Sequence, residues 1–135
     1  MQPQFMLNTD ICVSIHRKKP LSVLARVNKL KQGEAVLSLV TMGELIFGAM
    51  KSSQKDLILH GLTELEVLMP VLPLDRAVAD EYGVIRAQLE TSGTPIGNND
   101  LWIAAHAKAL GLTLVTNNEK EFKRIKGLKV ENWAK

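Results

Sequence analysis

The stretch NNDLWIAAHAKALGLTLV, residues 98 to 115, decides how the chain is read. From Leu101 to Leu110 the apolar residues are spaced for a helix. Gly111 suits the helix carboxy-terminus, because it enters the left-handed region without a Cβ penalty. LTLV (112 to 115) then runs apolar without a break, as a strand covered on both faces must. A helix passing through one glycine into a buried strand is half of a parallel α/β unit.

Outward from this stretch the same alternation repeats. Buried strands are predicted at FML (5 to 7), AVLSLV (35 to 40), VLMPVLPL (67 to 74) and LKV (128 to 130). Helical spacing marks Leu21, Leu24, Val27 and Leu30; then Leu45, Ile46 and Met50; then Leu57, Leu59, Leu62, Leu65 and Leu68; then Val78, Tyr82, Ile85 and Leu89. The expectation is one α/β domain over residues 1 to 135, with a parallel sheet of four or five strands, right-handed crossovers and helices on both faces. Its chemistry is then expected at the carboxyl ends of the strands.

The composition is that of a globular chain, 46% hydrophobic and 23% charged, and it holds no apolar run near the ~18 residues a membrane span requires. A cytoplasmic location is expected. The single cysteine, Cys12, lies between Ile11 and Val13 and reads as a small buried apolar residue. A net charge of +3, with basic clusters at HRKKP (16 to 20) and KEFKRIKGLK (120 to 129), allows a polyanionic partner without requiring one. His106, in IAAHAKAL, reads as a packing residue, because no second histidine stands at metal-ligand spacing.

Three acids stand apart from the mixed-charge helix surfaces. Asp10 follows the first strand, Glu44 sits one turn into the helix after AVLSLV, and Asp100 opens the helix 101 to 110. Parallel strands would bring all three to one sheet edge. Carboxylates so gathered repel one another unless a cation sits among them, and an all-oxygen set suits Mg²⁺ or Mn²⁺. Each also has a plainer reading. Thr41 to Glu44 matches a capping box, Asn98 or Asn99 suits a helix cap before Asp100, and Asp10 could cap its own helix.

The order and spacing of four blocks resemble the VapC-type toxins of the PIN-domain ribonucleases. MLNTDIC (6 to 12) stands where the family has MLDTNIC, and SLVTMGELIFGA (38 to 49) matches SxVTxxELxxGA. GTPIGNNDLWIAAHA (93 to 107) and GLTLVTNNEKEFKRIKGLKVENW (111 to 133) match two longer and more specific blocks. The resemblance implies a PIN-like three-layer fold and a Mg²⁺- or Mn²⁺-dependent endoribonuclease that cuts RNA, often a tRNA. It also implies a homodimer neutralised by a VapB-type antitoxin. Its signature positions fall at Asn8, Glu44 and Asp100, with a weaker fourth at Asn118 and with Thr116 and Glu121 close by. Asn8 and Asp100 would touch the metal, and Glu44 would hold a metal-bound water. Lys18, Lys19, Arg86, Lys120 and Lys123 are candidates for phosphate contacts.

One departure stands out: the acid and amide of the family's LDTN are exchanged in Asn8 and Asp10. Asp10 could supply the missing charge; Asn8 could replace an aspartate to disarm a toxic enzyme; or the protein could bind partners without cutting RNA. An amide oxygen lacks the charge of a carboxylate, and if Asn8 ends the strand and Asp10 lies in the first helical turn, the two side chains need not point the same way. The expectation is an attenuated or disarmed site.

Overall fold

The computed structural model describes residues 2–135. The chain runs β1 (Phe5–Leu7), α1 (Thr9–Arg17), α2 (Leu21–Asn28), β2 (Ala35–Ser38), α3 (Leu39–Met50), α4 (Lys55–Leu68) and β3 (Val71–Leu72). It continues through α5 (Arg76–Thr91), α6 (Asn98–Leu110), β4 (Thr113–Val115), α7 (Glu119–Phe122) and β5 (Val130–Glu131). The strands form one five-stranded sheet in the order β3-β2-β1-β4-β5, with every neighbouring pair parallel.

Register divides the strand residues between two cores. Met6 lies opposite both Val36 and Leu114, and these three share a cluster with Val78, Ile85 and Leu89 of α5, Ile103 of α6 and Phe122 of α7. Their neighbours Leu7, Leu37 and Val115 turn to the other face, against Ile11, Cys12, Val23, Met42 and Trp133. Alternate residues of short, wholly apolar strands therefore serve opposite layers, which is the three-layer arrangement the sequence pattern predicts.

Several boundaries differ from the sequence reading. β2 stops at Ser38, which caps α3 by accepting a hydrogen bond from the Val40 N–H at 3.2 Å, so Leu39 and Val40 are helical. Thr41 and Glu44 consequently lie inside α3 and form no capping box. Of VLMPVLPL only Val71 and Leu72 are strand, because Val67 and Leu68 end α4. The last strand is displaced to Val130–Glu131. Helix α6 begins earlier than expected, with Gly97 as its cap, which places Asn98 and Asn99 within it; Gly111 closes it at φ 70°. Leu62, Leu65 and Leu68 of α4 pack against the second core, leaving Leu57 as the exposed member of that row.

His106 is a core residue, as read. It is fully buried, and its Nδ1 lies 2.9 Å from Ser38 Oγ. Burial lowers its pKa, with the Asp75 charge and the Pro73 carbonyl opposing, which favours a neutral imidazole. Burial also pushes the Cys12 thiol up to about 12, helped by the charge of Asp10, so it stays protonated.

Ser38 thus serves a helix cap and a buried histidine at once. Ser38→Ala is expected to cost about 2 to 4 kcal/mol through the lost cap and the unpaired imidazole, read as a shift of the urea unfolding midpoint at unchanged slope.

Candidate active site

Because the sheet is parallel, β1, β2 and β4 all end at one edge, and α1, α3 and α7 begin there. Helix α6 ends where β4 begins, so its own first turn lies at the same edge. This topology places Asn8 and Asp10, Glu44, Asp100, and Thr116 to Glu121 around one locus, in the crevice where open α/β sheets bind ligands.

The centre of the locus is the Thr116 hydroxyl, fully buried just past β4. It accepts from Asn8 Nδ2 at 3.2 Å and from the Asn118 N–H at 3.0 Å, and it donates to Asp10 Oδ2 at 3.0 Å. Asp10 Oδ2 also accepts from the Asn117 N–H at 2.8 Å. Asn8 and Asp10 therefore do converge, although one ends a strand and the other lies in the first turn of α1. Asp10 caps nothing on its own helix: Asn8 holds the cap position without a side-chain cap bond.

A second group forms around Glu44, which accepts from Thr9 Oγ1 at 2.5 Å and from Asn99 Nδ2 at 3.3 Å. A third joins Asn118, whose amide donates to Glu121, with Asp100. The Asp100 carboxyl is pushed up to about 6, first by burial, then by the charge of Glu121 and a hydrogen bond with it, and then by the charges of Glu44 and Asp10. Asp10, Glu44, Asp100 and Glu121 thus sense one another across a single site.

Two buried side-chain oxygens at this locus have no hydrogen-bond partner, Asn8 Oδ1 and Asp10 Oδ1. Unsatisfied buried acceptors beside repelling carboxylates are the chemistry of a hard-cation site. No three His, Cys, Asp or Glu side chains among the described residues gather tightly enough to hold one ion. The donor set instead fits Mg²⁺, which keeps several waters and takes one or two carboxylates. Asn8, Asp10 and Asp100 are the residues that would hold it, with Glu44 and Glu121 beside them, and it would supply positive charge to this crowd of acids.

The basic residues divide. Lys19 lines an open cavity of about 500 Å³ together with Asp10, Ser14, Arg17 and Asn117. Lys18 is exposed at the left-handed cap of α1, φ 60°, and Lys120 is exposed on α7. Arg86 donates to Glu90 at 2.8 Å and to Tyr82 OH at 2.9 Å, while Lys123 pairs with Glu119 at 3.2 Å. These two are already engaged. Sequence reasoning missed Thr9, Asn99, Arg17 and the Asn117 N–H. Thr9 lay inside the motif MLNTDIC, but its partner Glu44 is distant in sequence and gave no signal.

A parallel α/β sheet with acids from four helices and a buried threonine at its carboxyl edge defines the class, and the PIN domain family model matches residues 5–128. The chain belongs to the PIN-domain family and is of the VapC type. It is 44% identical over 131 residues to the tRNA(fMet)-specific endonuclease VapC of Shigella flexneri, covering 97% of this chain and 98% of that one. Ribonuclease VapC2 of Haemophilus influenzae is 36% identical over the same coverage. Among solved structures, DNA-bound VapBC from Salmonella typhimurium aligns with a TM-score of 0.91 at 39% identity, covering 98% of this chain and 99% of that one.

The raised Asp100 pKa sets a pH dependence. Between the ordinary carboxylate value of 3.8 and about 6 the folded state holds a proton that the unfolded state has released. This group therefore makes stability fall as pH rises through that window. Without divalent cations, the melting temperature is expected to fall more between pH 4 and pH 6.5 for the parent than for Asp100→Asn, and millimolar Mg²⁺ should shrink that difference. Equal slopes for the two proteins would refute the assignment.

Proposed function

We propose that the protein is the toxin of a toxin-antitoxin pair, a Mg²⁺- or Mn²⁺-dependent endoribonuclease that hydrolyses a phosphodiester bond of RNA. The carrying observation is the convergence of Asp10, Glu44, Asp100 and Glu121 on one edge, beside the unpaired Asn8 and Asp10 oxygens. The activity named for the Shigella flexneri relative makes a tRNA the substrate to test first. A bound divalent cation would supply charge neutralisation at the phosphate and lower the pKa of attacking water.

The chain's own groups have separate tasks in this reading. Asn8, Asp10 and Asp100 present oxygens to the cation. Thr9 and Asn99 hold the Glu44 carboxylate so that it can orient a water. Arg17, Lys18, Lys19 and Lys120 offer phosphate contacts along the rim, which give affinity and salt dependence but no sequence choice.

The Asn8 and Asp10 pair is an attenuated cation site. Asn8 contributes a neutral oxygen, and one of the two Asp10 oxygens is occupied by Thr116 and Asn117. The same feature favours the second reading, a PIN-domain protein that binds antitoxin or RNA without cleavage. For the partner, a VapB-type antitoxin is supported by the VapBC complexes of similar fold. Leu39, Phe47 and Met50 of α3 and Leu57 of α4 are exposed apolar side chains, and burying them would favour such a partner. A homodimer is part of the proposal and is read by sedimentation.

Cleavage of labelled tRNA should appear with Mg²⁺ or Mn²⁺ and vanish in EDTA. Glu44→Gln is expected to lower the rate by about 10- to 100-fold with little loss of stability, as for residues that orient metal-bound groups. Cleavage that persists in EDTA would exclude the metal-dependent mechanism, and its absence with either cation would favour the binding reading.

A further inference from the structure

The hydrogen-bond count at Thr116 assigns the charge of the site to a single position. A threonine hydroxyl has one proton and two lone pairs. Here both lone pairs are filled, by Asn8 Nδ2 and by the Asn118 N–H, so the proton has only Asp10 to go to. The Asn117 N–H donates to the same Asp10 oxygen. Position 10 is therefore built to receive two donors, which a carboxylate does best. Position 8 is built to give one, which a carboxylate cannot do.

Asp10, as a carboxylate, can only accept, so it takes the Thr116 proton whichever way the Asn8 amide lies, and that fixes the direction of the amide. Turned over, its oxygen would face a hydroxyl whose proton is already committed to Asp10. With its nitrogen on Thr116, the amide oxygen is left unpaired, in a side chain only 6% exposed. Asp10 Oδ1, in the carboxylate that shares the Thr116 hydroxyl with this amide, is likewise buried and unpaired.

We propose that Thr116 is a positioning residue that places the site's negative charge on Asp10 and makes Asn8 its neutral companion, the two unpaired oxygens together receiving a divalent cation. This deepens the reading above and rests on it for the reaction, but not for the hydrogen-bond arrangement. A consequence runs against the motif: restoring an acid at position 8 does not re-arm the site. Asn8→Asp sets two carboxylates against one proton, with oxygen facing oxygen where Nδ2 now sits 3.2 Å from Thr116.

The test uses the full chain and Mn²⁺ as probe, with binding followed by the paramagnetic signal of free Mn²⁺ and unfolding followed in EDTA. Asp10→Asn is expected to weaken Mn²⁺ binding at least about tenfold while keeping or raising the melting temperature, since it removes a repelling charge. Asn8→Asp should melt several degrees lower than the parent in EDTA, with part of that loss recovered by Mn²⁺. Thr116→Val should weaken Mn²⁺ binding about tenfold and Thr116→Ser should restore it. If Thr116→Val does not fold, Thr116→Ser and the two single exchanges carry the test.

Parent-like Mn²⁺ affinity in Asp10→Asn would overturn the proposal, as would parent-like stability of Asn8→Asp in EDTA. A parent that binds Mn²⁺ with this pattern of variants supports the charge assignment even if it cleaves no RNA. That outcome would defeat only the nuclease reading.

Discussion

Strands β1 and β4 run side by side with Leu7 opposite Val115, and the chemistry of the chain depends on that pairing. Both residues are fully buried, so sliding either strand by one residue would turn an apolar side chain out of one core and into the other. The next residues, Asn8 and Thr116, are thereby held at fixed register, and the Asn8 N–H donates to the Val115 carbonyl at 2.9 Å. Two polar side chains far apart in sequence become buried neighbours because the apolar ones before them leave no alternative.

Around that pair the structure collects acids from α1, α3, α6 and α7. Such crowding costs stability unless charge is removed or screened, and the chain shows both responses. Asp100 rises toward neutrality under burial and the pressure of its neighbours. Asp10 is screened by an O–H and a backbone N–H on one oxygen, and the amide at position 8 lowers the number of charges competing there. That amide thereby lowers the electrostatic cost of gathering acids at this edge.

Much of this was legible in advance. The helix and strand of residues 98 to 115 were read from spacing and one glycine, because helix periodicity and an uninterrupted apolar run are local signals. Misread boundaries share a cause. In SLVTMGEL the cap falls three residues earlier than the polar residues suggest, and in NNDL one or two, because Ser38 and Gly97 lie where the strand or loop stops rather than where the acids begin. VLMPVLPL looked like a single strand, since a buried helix end and a buried strand are equally apolar over so few residues. The row of leucines marking α4 turns three of its members inward, since Leu62, Leu65 and Leu68 pack against the second core.

By itself the sequence determined the alternation of strand and helix, the four blocks that resemble VapC-type chains, and the exchange of acid and amide at Asn8 and Asp10. Those are properties of residue identity and local spacing. Tertiary structure decided what the exchange means. In sequence, position 10 lies in the first turn of a helix and need not point where position 8, at the end of a strand, does. In the fold, both side chains reach the same hydroxyl, supplied by a residue more than a hundred positions away. Because that hydroxyl has one proton to give, the fold sets where the charge must lie.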